Sequence, residues 1–425
     1  MTEDFLQFIW QRGLFVQQDN HTDGGELVEV VRMGMLNTHA GPDFTDARIR
    51  IGDTLWAGCV EIHLRSSDWE KHGHHTDAAY NNVILHVVYQ HDAPAYNALR
   101  AKVPVMELRF DDRYFQNYLQ LSDSKEKIAC KDKIALIDDF SRMNWLDRLA
   151  VERLEQKSEA IMQTCEATGH DWEETFYRRL ARNFGFSLNS LPFESLAKSL
   201  PLRILQKHSD HLQQLEALLF GQAGMLQEKM PENEYYSALQ SEYRFLQTKY
   251  NLMPIEGFLW KFLRLRPVNF PTLRIAQFAA LLYQSEPLFS RIITAKDLSA
   301  KESIFAIEAS PFWDNHYVFG KISDKRRKVL GKSAFLSIMI NTVAPFLFVY
   351  GKARGKEDDC IRAVELLGQL PAEHNSIITG WETLGFRIDN AFTSQALLQL
   401  QNEYCNARRC LHCAFGNAIV KSSTE

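Results

Sequence analysis

The sequence predicts an α+β fold in which an N-terminal mixed β-sheet domain precedes a large, mostly α-helical region. Between Glu26 and Phe110, short segments rich in β-branched residues alternate apolar with polar positions and are separated by glycine turns, a pattern typical of strands. From Asp138 onward the apolar residues recur at i, i+3 and i+4, which is the period of amphipathic helices. Strands grouped before helices favour a segregated α+β architecture.

The first domain is predicted to begin with a helix and to continue as a meander. MTEDFLQFIWQRGLF has helical spacing, and it carries acids where a signal peptide needs a basic region, so we expect a cytoplasmic helix. The predicted strands are ELVEVVRM from Glu26, ARIRI from Ala47, LWAGCVEIHL from Leu55, VILHVVYQ from Val83 and PVMELRF from Pro104. The near-continuous apolar run of VILHVVYQ indicates a strand buried on both faces, and a short helix from Thr76 is expected before it.

Three parts of the chain are predicted from these patterns. The sheet domain covers residues 1–121, a linker covers 122–137, and the helical region covers 138–425 and is divided near Asp324 if the charged stretch SDKRRKVLGK is a boundary. The linker prediction rests on the charged composition of DSKEKIACKDK. No fixed repeat period is found in the helical region, so a solenoid has no direct support.

Composition limits the classes of function. The chain has 425 residues, 45% hydrophobic and 24% charged, which is typical of soluble globular domains. A formal charge of -5 gives no global attraction to nucleic acid or membranes, so a polyanion site requires a local basic patch. Seven cysteines, an odd number, fit a reducing compartment. We therefore expect a cytoplasmic protein.

The longest apolar run is AFLSIMINTVAPFLFVY, residues 334–350, and it is interrupted by Asn341, Thr342 and Pro345. It is short for a membrane span of roughly 20 residues. We expect a buried helix with a proline kink, and no association with a membrane.

The chemistry is predicted to lie between Asn37 and Tyr89. A metal-dependent phosphodiester site needs carboxylates from adjacent strands that converge on one cation. Asp43 begins one predicted strand and Glu61 lies in the next. The two strands are joined by a hairpin, and the two-residue period of a strand places His63 on the same face as Glu61. Asn37, before the Asp43 turn, is a candidate for a supporting or substrate contact.

This order of Pro42-Asp43, a hairpin, Glu61-Ile62-His63, a helix and a buried strand resembles the PD-(D/E)xK nuclease superfamily. The resemblance implies that Asp43 and Glu61 bind Mg²⁺ or Mn²⁺ and that His63 stands where the superfamily has a water-activating lysine. It also implies an acid on the first helix, for which Glu3 is the candidate. Histidine is a poorer fixed cation than lysine but a competent general base or metal ligand. This departure leaves altered chemistry, another metal or an inactive site open.

An interpretation without catalysis is also open. In it, Asp43 caps the turn after Gly41-Pro42, Glu61 is a half-exposed strand acid, and His63 makes an ordinary hydrogen bond.

Histidines are concentrated beside this constellation. The segment SSDWEKHGHHTDAAYNNVILHVV supplies the further candidates for a metal shell or substrate contacts, which are Asp68, His72, His74, Asp77 and His86. Imidazole and carboxylate together suit Zn, Mn or Fe, although the spacing is not that of a standard zinc motif, and a solvent-exposed loop is the alternative. Because His86 lies in an apolar strand, it should find a partner on the Glu61 strand or at Asp68.

The C-terminal cysteines form a second candidate metal site. Cys405, Cys410 and Cys413 have x4 and x2 spacing in YCNARRCLHCAFG, and three thiolates so close can bind zinc or an iron–sulfur cluster. Cys360 or His412 would have to complete the ligand set. Free thiols are the alternative.

Arginines between Trp260 and Arg274 form a candidate phosphate-binding elbow. Arg264, Arg266 and Arg274 surround two prolines, and such cations contact phosphates in nucleic-acid complexes. A solvated loop whose arginines pair with acids is the alternative. The chain contains no phosphate-binding glycine loop, serine-hydrolase elbow or HExxH helix, which argues against nucleotide hydrolysis and the common proteases.

The chain as a whole resembles an uncharacterised bacterial family, domain of unknown function 2851. The resemblance rests on NTHAGPDFTDARIRIG, LWAGCVEIHLRSSDWEKHGHHTDAAYNNVILHVVY, LRLRPVNFPTLRIAQ and YCNARRCLHCAFG, and it implies no activity. Three functions therefore stay open: a metal-dependent nuclease or phosphodiesterase that acts on DNA or RNA, a nuclease-fold module that binds nucleic acid or protein without cleavage, and a helical structural or interaction protein.

Overall fold

The computed structural model describes residues 1–228, 230, 232–283 and 287–423. The chain divides into two units. Unit 1 comprises Met1–Trp145 together with the C-terminal segment from Leu400, and unit 2 comprises Leu146–Gln399. The predicted α+β class is confirmed, because a mixed sheet in the first 110 residues is followed by helices.

Unit 1 contains the principal sheet. The strands of unit 1 are β1 Val28–Arg32, β2 Met35–Leu36, β3 Phe44–Ile51, β4 Thr54–Arg65, β5 Val83–Gln90, β6 Ala95–Tyr96, β7 Lys102–Val103 and β8 Val105–Glu107. Of these, β6 and β7 pair with each other as a separate two-stranded sheet. The helices of unit 1 are α1 Glu3–Gln11, α2 Asp68–Lys71 and α3 Asp112–Ser122, with 3₁₀ turns at Ala78–Tyr80, Lys131–Leu136 and Cys410–His412, a π-helix at Leu400–Cys405 and a final helix at Ala414–Lys421.

The sheet is mixed, as the sequence predicts. Its order is β1-β3-β4-β5-β8, and β2 pairs with β3 at one end. The pairs β1·β3 and β3·β4 are antiparallel, whereas β4·β5 and β5·β8 are parallel. Strand β4 thus has an antiparallel neighbour on one side and a parallel neighbour on the other, and this double pairing positions the candidate site.

Local sequence explains the β3–β4 hairpin. Ile51 pairs with Thr54, which leaves Gly52-Asp53 as a two-residue turn, and Gly52 adopts a φ of 55° that such turns require. Along β3 buried and outward-facing residues alternate. A bulge at Asp46, whose φ is 55°, separates the pairs of Phe44 and Ala47 and sets the register of the residues that precede it.

The centre of the sheet is covered by apolar side chains. The first six residues of β5 are all buried, as the apolar run predicts for a strand with parallel neighbours on both sides. Helix α1 contributes a buried face that includes Phe5 and Trp10. The Phe5 ring stacks on Tyr118 of α3 with ring centroids 5.1 Å apart. The first helix of the chain is therefore fixed against the sheet domain.

The domain boundaries differ from the predicted ones. Residues 122–137 are not a bare linker, because Ile128, Cys130, Ile134 and Ile137 are buried and a 3₁₀ helix lies within them. The segment from Leu400 onward belongs to unit 1, where Asn117 Nδ2 donates to the carbonyl of Val420 at 3.2 Å. A charged composition marks a surface segment, but it does not reveal the apolar residues that anchor it.

Unit 2 is helical around one large apolar core. Its helices are α4 Asp139–Ala167, whose first turns belong to unit 1, α5 Trp172–Phe184, α6 Ser190–Ser199, α7 Leu202–Gln206, α8 Leu212–Gln222, α9 Glu234–Tyr250, α10 Pro271–Leu282, α11 Leu288–Thr294, α12 Leu298–Ile304, α13 Lys332–Ile338, α14 Ala344–Ala353, α15 Glu357–Gln369, α16 Ser376–Glu382 and α17 Ala391–Gln399. The final helix of unit 1, Ala414–Lys421, is α18. A two-stranded ribbon pairs β9 His316–Val318 with β10 Lys321–Ile322.

The apolar run near residue 340 forms one continuous helical stretch, Lys332–Ala353. By length and composition alone it is able to cross a membrane, and 78% of its most apolar window is buried within the protein. Helices α13 and α14 are joined there by a π-helical segment, Met339–Val343. Pro345 lies in the first turn of α14, where its missing N–H is tolerated.

Candidate functional site

The candidate site begins with a loop that delivers Asp43 to the edge of β4. Asn37 organises this loop, because its backbone N–H donates to the Asp43 carbonyl at 2.7 Å and its side-chain Nδ2 donates to the Pro42 carbonyl at 3.0 Å. Gly41 adopts a φ of 107°, which favours glycine. The predicted candidate Asn37 thus holds the backbone that positions Asp43.

Asp43 and Glu61 are joined by two reciprocal hydrogen bonds. The backbone N–H of Asp43 donates to Glu61 Oε2 at 2.9 Å, and the backbone N–H of Ile62 donates to Asp43 Oδ2 at 3.0 Å. Burial, followed by the charge of Glu61, raises the pKa of Asp43 to about 7. Glu61 is itself buried, which corrects the alternative in which it is a half-exposed strand acid.

Helix α1 adds two residues to this pair. The Gln7 side chain hydrogen bonds to the Asp43 carboxyl group. Burial is the largest cause that raises the pKa of Glu3, His72 acts in the opposite direction, and the charge of Glu61 raises it further. Glu3 and Gln7 are four residues apart and therefore share one face of the helix. The acid expected on the first helix is thus near enough to His72 and Glu61 for their charges to influence its pKa.

Three histidines meet beside Glu61. His63 Nε2 lies 3.5 Å from Glu61 Oε1, as expected for residues two positions apart on one strand face, and His74 Nε2 lies 3.3 Å from the same oxygen. His72 Nδ1 lies 3.0 Å from His63 Nε2. One ligand atom from each of His63, His72 and His74 lies within 4.8 Å of the others, so the strand and the loop after α2 supply one cluster.

The spacing of these atoms fits a bound metal ion. With metal–nitrogen bonds of about 2.1 Å, the neighbouring donors of a tetrahedral site are about 3.4 Å apart. The separations of 3.5 Å between His63 and Glu61, 3.3 Å between His74 and Glu61 and 3.0 Å between His72 and His63 are close to this value. Burial, followed by His72 and His74, lowers the pKa of His63 to about 3, so this imidazole is neutral at physiological pH. Neutral imidazole is the form that binds metals.

The His74 side chain is the most constrained of the three. The residue is buried, and its Nε2 has no hydrogen-bond partner among the residues that the structure describes, because the approach to Glu61 lacks hydrogen-bond geometry. An unpartnered buried polar atom costs about 1–3 kcal/mol. A metal ion would satisfy this nitrogen. His72, in contrast, is exposed, so the cluster is open to solvent on that side.

His86 lies behind the cluster. Its Nε2 lies 2.9 Å from His63 Nδ1, which confirms the expected partner on the Glu61 strand. The two residues come from the parallel pair of β4 and β5, in which Glu61 faces His86 in the register. Metal-binding histidines commonly donate their second ring N–H to such a partner, which fixes the tautomer. His86 is therefore placed to orient His63 and does not belong to the trio.

Aromatic rings enclose the cluster from the other side. His74 stacks on Tyr80 with ring centroids 3.7 Å apart, and Trp69 contacts both His74 and His86 at 5.3 and 5.0 Å. Trp69 is fully buried, and its indole N–H donates to the Tyr96 carbonyl at 2.8 Å. These contacts fix the orientation of the His74 imidazole.

The remaining predicted residues of this segment have structural contacts. Asp68 begins α2, and its carboxylate accepts the Arg65 backbone N–H at 3.0 Å and pairs with Lys71 at 2.7 Å. Asp77 accepts the Ala79 N–H as the cap of the turn Ala78–Tyr80. Asp77 is exposed and outside the histidine trio. Asp68 lies close enough to His63 and Glu3 to influence the pKa values of both.

The arginine elbow lies in unit 2, and its three arginines differ in exposure to solvent. Arg264 and Arg266 are exposed, so they stay candidates for phosphate contacts. Arg274 is buried, and its guanidinium group donates to Gln277 Oε1 at 2.8 Å and to Asn269 Oδ1 at 2.7 Å. Burial lowers the pKa of Arg274 to about 10. Arg274 therefore holds the elbow together, and its burial leaves it less accessible to a phosphate than Arg264 and Arg266.

The predicted cysteine ligands are divided between the two units. Cys405, Cys410 and Cys413 belong to unit 1, whereas Cys360 belongs to unit 2, where its thiol donates to the Phe348 carbonyl at 3.4 Å. His412 is exposed. Burial, followed by the thiols of Cys413, Cys130 and Cys410, raises the pKa of Cys405. Cys130, in the stretch predicted as a linker, is therefore a neighbour of Cys405.

Sequence reasoning missed Gln7, Trp69, Tyr80 and Cys130 as members of these sites. The spacing of Gln7 from Glu3 on one helix face was an available signal. Trp69 and Tyr80 flank the histidines in the sequence, but nothing in their spacing predicts a stack. Cys130 had no signal beyond its residue type, because Cys405, the nearest of its partners in sequence, lies 275 positions further along the chain.

The chain was compared with protein families, curated proteins and solved structures. No curated protein and no solved structure matches it significantly. A family model described as protein of unknown function (DUF2851) matches residues 3–376. The match includes every residue of the histidine and carboxylate cluster and most of the chain, and the chain therefore belongs to the DUF2851 family.

Proposed function

We propose that the chain is a metal-dependent hydrolase of phosphodiester bonds, with DNA or RNA as its substrate. The observation that carries the proposal is the meeting of His63, His72 and His74 beside Glu61. Buried His63, His74 and Glu61, together with a third imidazole from exposed His72, favour a bound cation at these separations, because an unpaired buried polar atom is costly.

The proposed metal ligands are His63 Nε2, His72 Nδ1, His74 Nε2 and Glu61 Oε1. Nitrogen donors favour Zn, Mn or Fe over Mg, so Mn²⁺ is the better of the two ions expected from the nuclease resemblance. A bound ion of this kind acts as a Lewis acid and supplies hydroxide near neutral pH. His63 is then a metal ligand, and the histidine in place of lysine indicates a different metal set and not an inactive site.

The surrounding residues have distinct proposed roles. Glu61 directs Oε1 toward the histidines, while its Oε2 is held by the Asp43 backbone N–H. His86 keeps the proton of the His63–His86 contact on His63 Nδ1, which leaves His63 Nε2 free to bind. The open side at His72 admits the substrate, because that side chain is exposed.

Asp43 is proposed as the proton donor to the leaving oxygen. Its carboxyl group is next to the Glu61 carboxylate and accepts hydrogen bonds from Ile62 and Gln7. A carboxyl group that retains a proton near neutral pH is suited to general acid catalysis. The position of Asp43, between two strands and one turn of helix α1, fixes this carboxyl group in one orientation.

The phosphodiester substrate class is the part of the proposal that rests on resemblance. The order of first helix, meander, Asp43, Glu61, short helix and buried parallel strand supports it, as in the PD-(D/E)xK nuclease superfamily. Exposed Arg264 and Arg266 are proposed to contact phosphates of a polymeric substrate. The expected setting is the cytoplasm, and no membrane partner is proposed.

The test uses the purified full-length chain. Single-stranded and double-stranded DNA and RNA, together with the small diester bis(p-nitrophenyl) phosphate, are incubated with Mn²⁺, Zn²⁺ or Mg²⁺. We expect cleavage with Mn²⁺ or Zn²⁺ and little with Mg²⁺. Loss of a ligand that stabilises transition-state charge by several kcal/mol should reduce kcat by about 100-fold or more, so Glu61→Gln is the test variant.

Glu70→Gln is the matched control, because Glu70 is an exposed acid of α2 near the same site. It should cleave at the wild-type rate. Cleavage that is equal in Glu61→Gln and wild type would contradict the proposal. A chain that binds metal and nucleic acid and cleaves neither the polymers nor the small diester would instead establish the alternative, a binding module.

A further inference from the structure

Unit 1 brings together four cysteines from distant parts of the sequence. Cys130 directly precedes the 3₁₀ helix Lys131–Leu136. The other three lie in the C-terminal segment, where Cys405 ends a π-helix, Cys410 begins a 3₁₀ turn and Cys413 directly precedes α18. Each of the four thus lies at or next to the boundary of a short helical element.

Backbone and side-chain contacts hold the two segments together. Gln401 Nε2 donates to the Lys127 carbonyl at 3.2 Å, three residues before Cys130. Asn117 of α3 bridges the two segments, because its Oδ1 accepts from Lys133 Nζ at 3.2 Å and its Nδ2 donates to the carbonyls of Val420 and Ser422 at 3.2 and 3.1 Å. At Gly416, an added Cβ would collide with the Cys410 carbonyl oxygen, so only glycine lets α18 approach the Cys410 turn so closely.

The four thiols are neighbours of one another. Burial, followed by the thiols of Cys413 and Cys410, raises the pKa of Cys130 to about 12. Burial likewise raises the pKa of Cys405, with Cys413, Cys130 and Cys410 as the next causes. The cysteines are free thiols, and Cys130 and Cys413 are buried. Four such thiols close together form the ligand set of a zinc or iron–sulfur centre.

The sulfur of Cys413 accepts hydrogen bonds of the kind that stabilise a thiolate. The backbone N–H groups of Phe415 and Gly416, in the first turn of α18, donate to the Cys413 sulfur. Hydrogen bonds from backbone N–H groups to cysteine sulfur stabilise the anionic form and tune metal–sulfur centres. The N-terminal end of the helix is thus directed at this sulfur and not at solvent.

The separation of the sulfurs distinguishes a single zinc ion from an iron–sulfur cluster. A zinc ion with four bonds of about 2.3 Å holds its sulfurs about 3.8 Å apart. Among the residues that the structure describes, the one group of three or more metal-binding atoms within 4.8 Å of one another is His63, His72 and His74. No three of the four cysteine sulfurs meet that limit, so the group is wider than a single zinc ion requires.

We propose that Cys130, Cys405, Cys410 and Cys413 bind a [4Fe–4S] cluster that fastens the C-terminal segment to the segment around Cys130. Each sulfur binds one iron, and each thiol gives its proton to solvent as the sulfur–iron bond forms. The cluster enters already assembled, so no electron is transferred in this step. Four cysteine thiolates are the ordinary ligand set of such clusters.

The test measures iron and acid-labile sulfide in the full-length chain, purified without oxygen after expression in iron-supplemented medium. We expect about four iron and about four sulfide per chain, with the broad visible absorption of an iron–sulfur cluster. Cys130→Ser and Cys410→Ser should lose most of the iron and the sulfide. Cys360→Ser, in unit 2, is the matched control and should keep both. Sulfide separates this cluster from any iron at the histidines.

A measurement on the wild-type chain guards against a variant that fails to fold. Native protein is alkylated at its cysteines before and after removal of iron by a chelator, and the modified residues are identified by mass spectrometry. The four proposed ligands should be modified only after iron is removed. Zinc without sulfide in the purified protein, or modification of all four cysteines before chelation, would overturn the proposal.

Discussion

His63 Nδ1 lies 2.9 Å from His86 Nε2, across the parallel pair of strands β4 and β5. Both rings are buried, and a single proton can lie between these two nitrogens. When His63 holds that proton, its Nε2 presents a lone pair toward Glu61, His72 and His74. The register of two strands thus decides which nitrogen of His63 faces the cluster.

His86→Leu should weaken metal binding without abolishing it. The substitution removes the partner of His63 Nδ1 and no proposed ligand, and the loss of such a partner typically costs about 10–100-fold in metal affinity. The dissociation constant for Zn²⁺ is measured by competition with a chromogenic chelator. His75→Ala changes an exposed neighbouring histidine and should bind as the wild type does. An unchanged affinity in His86→Leu would show that this contact does not orient His63.

Asp43→Asn should stabilise the metal-free chain at alkaline pH while it eliminates catalysis. Burial and Glu61 raise the pKa of Asp43 from 3.8 to about 7, so the folded state holds a proton that the unfolded state has lost between these values. The contribution of this carboxyl group to the free energy of unfolding is complete below about pH 3.8 and is lost as the pH rises to about 7. Asparagine keeps an oxygen for the Ile62 N–H and carries no charge.

The measurement for Asp43→Asn is thermal unfolding in a chelating buffer at pH 8 and pH 4. The variant should have the higher Tm at pH 8, by roughly 2–4 °C for each kcal/mol, and the difference should shrink at pH 4. Asp46→Asn, an exposed acid nearby, is the control. If Asp43→Asn has the lower Tm at pH 8, the repulsion between the two carboxylates is not the dominant effect at this position.

Glu216 in helix α8 should make unit 2 less stable as the pH rises. Burial raises its pKa from 4.5 to about 7, and the residue is almost fully buried. The folded state therefore holds the proton longer than the unfolded state, and stability falls between about pH 4.5 and pH 7. A shift of this size corresponds to about 3 kcal/mol.

Glu216→Gln should remove that dependence, because glutamine resembles the protonated acid in shape and hydrogen bonding. Urea unfolding at pH 5 and pH 8 gives the free energy of unfolding of each form. We expect the variant to be the more stable at pH 8 and similar to wild type at pH 5. Equal pH dependence in the two proteins would contradict a buried, protonated Glu216.

The sequence pattern is sufficient to predict the sheet and, within the site, the placement of Glu61, His63 and His86. Alternation along β3 and β4 places Glu61 and His63 on one face, and the apolar run of β5 explains why His86 must pair with another polar group. These features depend on neighbours in sequence or on strand period, which a sequence displays directly.

The rest of the two candidate sites depends on contacts between residues that are distant in sequence. In the loop after α2, His74 is buried against Trp69 and Tyr80, whereas His72 is exposed. Helix α1 reaches Asp43 through Gln7, and Cys130 joins cysteines near the end of the chain. Such contacts follow from tertiary packing, and no local sequence period predicts them.

The metal content of purified protein tests the account most directly. Wild type and His74→Ala are dialysed against Zn²⁺ or Mn²⁺, freed of excess metal, and analysed by inductively coupled plasma mass spectrometry, with His75→Ala as the control. The account predicts that His74→Ala contains about one equivalent less of the added metal than wild type, while His75→Ala and wild type are equal. Equal metal content in His74→Ala and wild type, with the variant folded by circular dichroism, would contradict it.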